Sequence, residues 1–251
     1  MNLDFNISNK WNDLNFWQLQ KIADVLYSDK PEKITNFLLV SYLFIRKPSV
    51  KNVLKFLYLL FNVPFSELKK HCDFLYNETN FTKFLPELKN LKGPYDRLAN
   101  LTIEEFSYAD LFYYNWATTK DLQDLNRLVC VLYRPVDKAT KERRTFKKEE
   151  LAKHSTIIEA LPKSIKLVVA MAYQGSRELI INRSKNVFSS GKKKTPYIPF
   201  SKIVNEMARS ENQPFGDFYK TKSANVHDFF ELLDEERKSQ KERERNFKKN
   251  K

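Results

Sequence analysis

Apolar residues recur at helical spacing along most of the chain, and the first half reads as short amphipathic helices separated by clear stops. Asn15 and Gln18 have the spacing of a capping box, and Leu19, Ile22, Ala23 and Leu26 then share one face, which predicts a helix over Phe16–Tyr27. Asp29 can cap a second helix that admits Pro31 in its first turn and runs through Ile34, Phe37, Leu38, Ser41 and Ile45, until Lys47-Pro48 ends it. Ser49 is placed to cap a third. Its Val50, Val53, Leu54, Leu57 and Phe61 share one face, Tyr58 and Leu60 widen it, and Pro64 stops it. Connections this short predict that the three helices pack as antiparallel neighbours.

From Pro64 to Pro94 the pattern is mixed: a short helix fits Lys69–Tyr76, residues 77–80 and Lys92-Gly93-Pro94 read as loop, and a small hairpin is compatible. Thr102 and Glu105 again have capping-box spacing, ahead of an aromatic helix over Ile103–Trp116. Thr118 or Thr119 opens the next helix, whose stripe of Leu122, Leu125, Leu128, Val129 and Leu132 is expected in the core before Arg134-Pro135 closes it. The charged segment Val136–Lys148 is the best candidate for a linker or long loop. Helices follow over Glu149–Ala160, Pro162–Asn182, with Gly175 as a close-packing point or kink, and Ser201–Arg209. A last helix begins near Asn225, buries Val226, Phe229, Phe230 and Leu233, and then loses its apolar face.

Strand-like alternation is scarce and no repeat of solenoid length is present. The expected fold is therefore mostly α: an irregular multi-helix bundle with a charged C-terminal helix extension. Its expected organisation is a helical N-terminal half over 1–135, a helical C-terminal half over 149–233 packed on the first, and a charged mobile tail over 234–251.

Composition narrows the functional classes. The 251 residues are 42% hydrophobic and include 20 Phe and 12 Tyr, too much apolar surface for a disordered chain. The four glycines, Gly93, Gly175, Gly191 and Gly216, lie too far apart for a phosphate-cradling or dinucleotide loop. Cys72 and Cys130 make neither a disulfide framework nor a zinc spacing, which favours a reducing compartment. The N-terminus carries no apolar run of a secretory signal, and no stretch approaches the roughly 20 apolar residues of a membrane span, so a soluble, cytoplasmic protein without membrane contact is expected. The net charge of +13 is uneven: residues 1–137 hold 17 Lys and Arg against 16 Asp and Glu, and residues 138–251 hold 27 against 15. Such asymmetry suits a polyanionic or acidic partner.

Candidate chemistry is sparse. His71, Cys72 and Asp73 are adjacent and so point in different directions on a helix, and Glu104-Glu105 suits a first helical turn through the helix dipole. No catalytic, cofactor-binding or metal-binding residues are expected. The candidate polyanion contacts are Arg143, Arg144, Lys147, Lys148, Lys192, Lys193 and Lys194. The aromatic helix has no Lys or Arg between Glu104 and Ala117, unlike a stacking platform for single-stranded nucleic acid; core packing accounts for most of it, with Tyr108, Tyr113 and Trp116 as the candidate protein-partner surface.

The series Gly93-Pro94-Tyr95-Asp96-Arg97-Leu98, Asn100-Leu101-Thr102-Ile103-Glu104-Glu105-Phe106 and Leu125-Asn126-Arg127-Leu128-Val129-Cys130-Val131-Leu132-Tyr133-Arg134-Pro135 resembles a set of uncharacterised proteins of Bacteroidetes phages and prophages, encoded among virion-morphogenesis genes. The resemblance covers mainly residues 93–135, with a weaker echo at Phe188 and over Asn225–Leu233. It implies a non-enzymatic structural or tail-assembly protein, a helical adaptor that binds another virion protein, in the host cytoplasm or associated with the virion, and it carries over no catalytic residues. The alternative from charge is a basic nucleic-acid-associated protein using residues 138–251.

Overall fold

A computed structural model describes residues 7–77, 79–188, 197, 199–209 and 215–249. Among these residues it holds twelve α-helices and one small three-stranded sheet, the mostly α fold that the helical periodicity predicts. The chain forms two compact units, Met1–Thr82 with Leu161–Gly175, and Lys83–Ala160 with Ser176–Lys251.

In the first unit α1 (Phe16–Leu26) starts at the expected capping box. The Asn15 side chain accepts from the Gln18 backbone N–H at 3.0 Å, and Gln18 Oε1 accepts from the Asn15 N–H at 3.2 Å. The same residues also serve α2 (Glu32–Ile45): Gln18 Nε2 donates to the carbonyls of Tyr42 (3.1 Å) and Leu43 (3.0 Å), and Asn15 Nδ2 donates to that of Arg46 (2.8 Å). Carbonyls at a helix C-terminus have no intrahelical donor, so the start of α1 satisfies the end of α2. The N-terminus of α2 departs from expectation, because Pro31 rather than Asp29 takes the cap position and no side chain caps it. α3 (Val50–Asn62) follows, with Ser49 accepting from the Asn52 N–H at 3.2 Å as its spacing predicts. The short helix expected near residue 70 is two pieces, α4 (Phe65–Lys70) and α5 (Asp73–Tyr76). α1, α3 and α4 all pack on α2, whose Leu39, Val40 and Leu43 are fully buried.

The second unit opens with a hairpin of β1 (Glu87–Leu88) and β2 (Leu91–Lys92), turned by Lys89 at φ 58°. α6 (Ile103–Thr119) carries both halves of the Thr102–Glu105 capping box. Lys120, in the left-handed region, ends it, so α7 (Leu122–Leu132) is capped by Asp121 and not by Thr118 or Thr119. Of the α7 stripe, Leu125, Leu128, Val129 and Leu132 are fully buried; Leu122, at the first helical position, is 44% exposed. β3 (Arg134–Pro135) then joins β2 antiparallel.

The polar segment 136–148 folds back as a long loop: Val136 and Arg143 form an isolated bridge, and Lys92 Nζ pairs with Glu142 at 2.9 Å. A 3-10 turn over Lys148–His154 precedes the shorter α8 (Ser155–Glu159), in place of one helix over 149–160. α9 (Lys163–Arg183) supplies residues to both units. Leu167 to Tyr173 are all buried, as a helix that is apolar on every side must be. α10 (Phe200–Ala208) and α11 (Phe218–Ser223) follow, the latter capped by Asp217 and unforeseen from the sequence. α12 (Val226–Lys249) buries Val226, Phe229, Phe230 and Leu233, as its spacing predicts, and the Phe230 ring meets Phe106, Phe188 and Phe200 at 5.3–5.5 Å. The helix is tied beyond Leu233 as well. Asp234 accepts from the Asn186 N–H at 2.6 Å, and Lys241 Nζ reaches the Asn186 carbonyl at 3.2 Å. Residues 242–249 are exposed.

Candidate partner-docking surface

α3 turns its apolar stripe to solvent. Val50, Val53, Leu54, Leu57, Tyr58 and Phe61 are each 40–89% exposed, and Phe56 alone on this helix is buried. Phe56 faces α2, where its ring lies 6.4 Å from Phe37 and 6.2 Å from Phe44. At about 100° per residue, Val50, Leu54, Tyr58 and Phe61 project well away from Phe56, so burying Phe56 presents them to solvent, while Val53 and Leu57 lie on the flank between. This corrects the packing expected from periodicity: α3 does sit on α2, but through the back of its stripe. Phe37 on α2, which packs against Phe56, is itself partly exposed. Large side chains grouped this way make a patch of several hundred Å², the scale at which exposed apolar surface marks an interaction site.

Two sequence features of this surface become legible once it is known to be exposed. Val50, Leu54, Leu57 and Phe61 are spaced four, three and four residues apart, the repeat by which one helix packs along another. From Lys33 to Ser66 the chain has no Asp or Glu but five cations, Lys33, Arg46, Lys47, Lys51 and Lys55. Lys51 and Lys55 lie on α3 itself, next to Tyr58 at one edge of the stripe.

The residues singled out from sequence are not assembled into one site. Arg143 is a correction: its guanidinium is buried against Glu105 (2.9 Å), with Nη1 on the Leu132 carbonyl (2.8 Å), and does not face solvent. Arg144, Lys147 and Lys148 are exposed, with Lys148 Nζ 5.7 Å from the Tyr108 ring centre. Lys192, Lys193 and Lys194 lie outside the described residues. Of the proposed aromatic surface, Trp116 is buried, which corrects its placement; the aromatic helix turns it inward beside half-buried Tyr113, ring centres 5.9 Å apart. Tyr108 is half-buried against Phe146 at 5.2 Å. The exposed aromatic of α6 is Tyr114, stacked at 4.0 Å on Tyr197. Tyr197 donates to Asp110 Oδ2 (2.8 Å) while Arg177 Nε holds Oδ1 (2.5 Å); burial, reinforced by Asp110, raises the Tyr197 hydroxyl pKa.

The acid and thiol candidates are engaged structurally. Glu105 Oε1 accepts from Arg134 Nη2 at 2.5 Å, opposite the Arg143 contact, and Glu104 pairs with Lys222 at 2.9 Å. Cys72 is buried, and that burial pushes its thiol up to about 12, with Asp73 adding to the rise, so the nucleophilic thiolate is suppressed. Among the described residues no group of His, Cys, Asp and Glu is arranged to hold a metal ion, and no helix is long and apolar enough to cross a membrane. A cleft of about 390 Å³ in the second unit is lined by Arg183, His227, Glu231, Asp234 and Glu235, among others. Asp234 is committed there to the Asn186 and Val187 N–H groups, and His227 Nε2 to the Arg97 carbonyl.

Compared with protein-family models, with curated proteins and with solved structures, the chain gives no match.

Proposed function

We propose that this chain is a non-catalytic helical adaptor that binds another protein through the exposed face of α3. The exposed stripe itself carries the reading: six large apolar side chains, four of them in helix-packing register, are exposed on a helix whose one buried residue already anchors it to α2. Burying them is worth about 25 cal/mol per Å² of apolar area, a gain that a partner laid on the face would supply. A role in phage assembly, as a tail-assembly factor that binds another virion protein, is the form of this reading that the resemblance over residues 93–135 favours. The basic nucleic-acid reading has one observation behind it, the exposed Arg144, Lys147 and Lys148.

The test is co-purification of the tagged chain from cells that produce it, with and without nuclease, beside the double substitution Leu54→Glu and Leu57→Glu. An adaptor retains a discrete protein through nuclease treatment and loses it with the double substitution. Retained material that nuclease releases, and that the double substitution leaves in place, would support the nucleic-acid reading instead.

A further inference from the structure

We infer that the occupant of the α3 face is an acidic amphipathic helix, about three turns long, whose own apolar stripe lies along Val50, Leu54, Leu57 and Phe61 and whose carboxylates meet Lys51 and Lys55. The inference rests on the adaptor reading and names its partner chemically.

Three observations carry it. The first is shape. From Val50 to Phe61 the exposed stripe runs about 17 Å at 1.5 Å per residue, and its spacing of four, three and four matches a helix laid along it and does not match an extended strand, whose side chains alternate every second residue.

The second is charge. Lys51 and Lys55 line one edge of the stripe, Lys47 precedes the helix, and the sequence has no carboxylate between Glu32 and Glu67. The N-terminus of α3 adds its positive dipole end beside Lys47 and Lys51. A stripe edged by cations of its own helix favours acidic neighbours over basic ones.

The third concerns a second copy of this chain. Two α3 helices packed antiparallel about a two-fold axis set matching edges against each other, so Lys51 and Lys55 of one copy would lie against the same cations of the other. No acid in Lys33–Ser66 offsets that repulsion. An anionic lipid surface shares the charge preference. The cations here, however, line one edge of the stripe, whereas a helix lying in a membrane interface carries them across its polar face; on α3 that side is packed on α2 through Phe56.

The test uses two synthetic three-heptad peptides with the same leucine stripe, one carrying Glu and the other Lys at the flanking positions, each kept at a concentration where it is monomeric. Binding to the full chain is read by fluorescence anisotropy. The Glu peptide is expected to bind at least about tenfold tighter than the Lys peptide at about 50 mM NaCl, and the gap to shrink to within about threefold at about 500 mM. Lys51→Glu with Lys55→Glu should invert the preference, Leu57→Glu should abolish binding of both peptides, and Phe61→Glu should weaken both while leaving the melting curve unchanged, since Phe61 is 89% exposed.

Equal binding of the two peptides, or tighter binding of the Lys peptide, overturns the inference. So does a concentration-dependent dimer that Leu57→Glu dissociates, which would make the occupant a second copy. Binding to phosphatidylglycerol vesicles with neither peptide bound overturns it in favour of lipid. If peptide preference is absent but Leu54→Glu with Leu57→Glu still removes a co-purifying protein, the acidic partner falls and the adaptor reading stands.

Discussion

Arg143 places Nη2 2.9 Å from Glu105 Oε2, and both side chains are almost closed to solvent, at 3% and 4% exposure. Arg134 holds the other carboxylate oxygen, so one buried anion serves two buried cations. Backbone carbonyls take further N–H groups: Arg134 donates to those of Val131 and Arg144, and Arg143 to those of Leu132 and Asn100. Burial lowers the pKa of both guanidiniums, Arg134 to about 10, against the pull of Glu105 in the other direction. Removing one partner of such a group leaves charge buried without compensation. Glu105→Gln can keep the capping box through its amide oxygen but removes the charge and turns the other acceptor into a donor facing Arg134, so its cost reports on the ion cluster: a loss of about 3–5 kcal/mol in urea unfolding is expected. A change below about 1 kcal/mol would mean that the guanidiniums find other partners.

α7 provides an internal comparison. Leu128 is fully buried and Leu122 is 44% exposed, although both sit on one apolar stripe in the sequence. Leu128→Ala should cost about 2–5 kcal/mol through lost transfer energy and the cavity left behind. Leu122→Ala should stay within about 0.5 kcal/mol of the parent. Thermal melts of the two variants give the contrast directly.

At Gly175 a side chain has no room. A Cβ there would lie 2.2 Å from the Phe81 carbonyl oxygen and 2.8 Å from the Phe81 nitrogen, both backbone atoms that cannot swing away. Gly175→Ala should therefore destabilise by about 1–3 kcal/mol, the usual cost of overpacking, although alanine is the better helix former. A variant as stable as the parent would show that α9 can move off residue 81.

Burial also sets the alkaline limit of stability. The Cys72 thiol rises from 9.0 to about 12 in the folded chain, so its contribution is complete below pH 9 and is lost as the pH climbs toward 12, because the unfolded chain sheds its proton first. By pH 10 the loss should be on the order of 1 kcal/mol, roughly the worth of one pKa unit. Cys72→Ala should flatten the fall in unfolding free energy between pH 8 and 10, whatever it does to the absolute value. Cys72 and Cys130 are both buried and neither is in a disulfide, so at pH 8 they should react with a disulfide reagent only after denaturation.

What the sequence disclosed follows the range of each interaction. The caps at Asn15, Ser49 and Thr102 were legible because donor and acceptor sit three residues apart and need no knowledge of the fold. The buried face of α12 was legible for a similar reason, its polar continuation marking where the stripe ends. Asp121 displaced Thr118 and Thr119 as the cap of α7 because Lys120 adopts a left-handed conformation, a backbone choice that propensity does not announce. Arg143 read as one cation in a basic run; its partner Glu105 lies 38 residues away, and no local pattern links them. The α3 face was visible as a stripe but not as a surface. Helical periodicity says that residues share a side, and whether that side meets the core or water is decided by which neighbour takes Phe56. The absence of acid between Lys33 and Ser66 was the signal available beforehand, since a stripe bordered only by cations suits an oppositely charged partner.

Hydroxyl-radical footprinting of the free chain and of its co-purified complex tests the central claim, that the α3 face stands open in the isolated protein and is covered by a partner. Leu54, Leu57, Tyr58 and Phe61 should be modified readily in the free chain and be protected several-fold in the complex, while Tyr219, which is 80% exposed on α11, keeps its reactivity in both. Protection of the four α3 residues already in the free monomer, or protection of Tyr219 in their place, would contradict it.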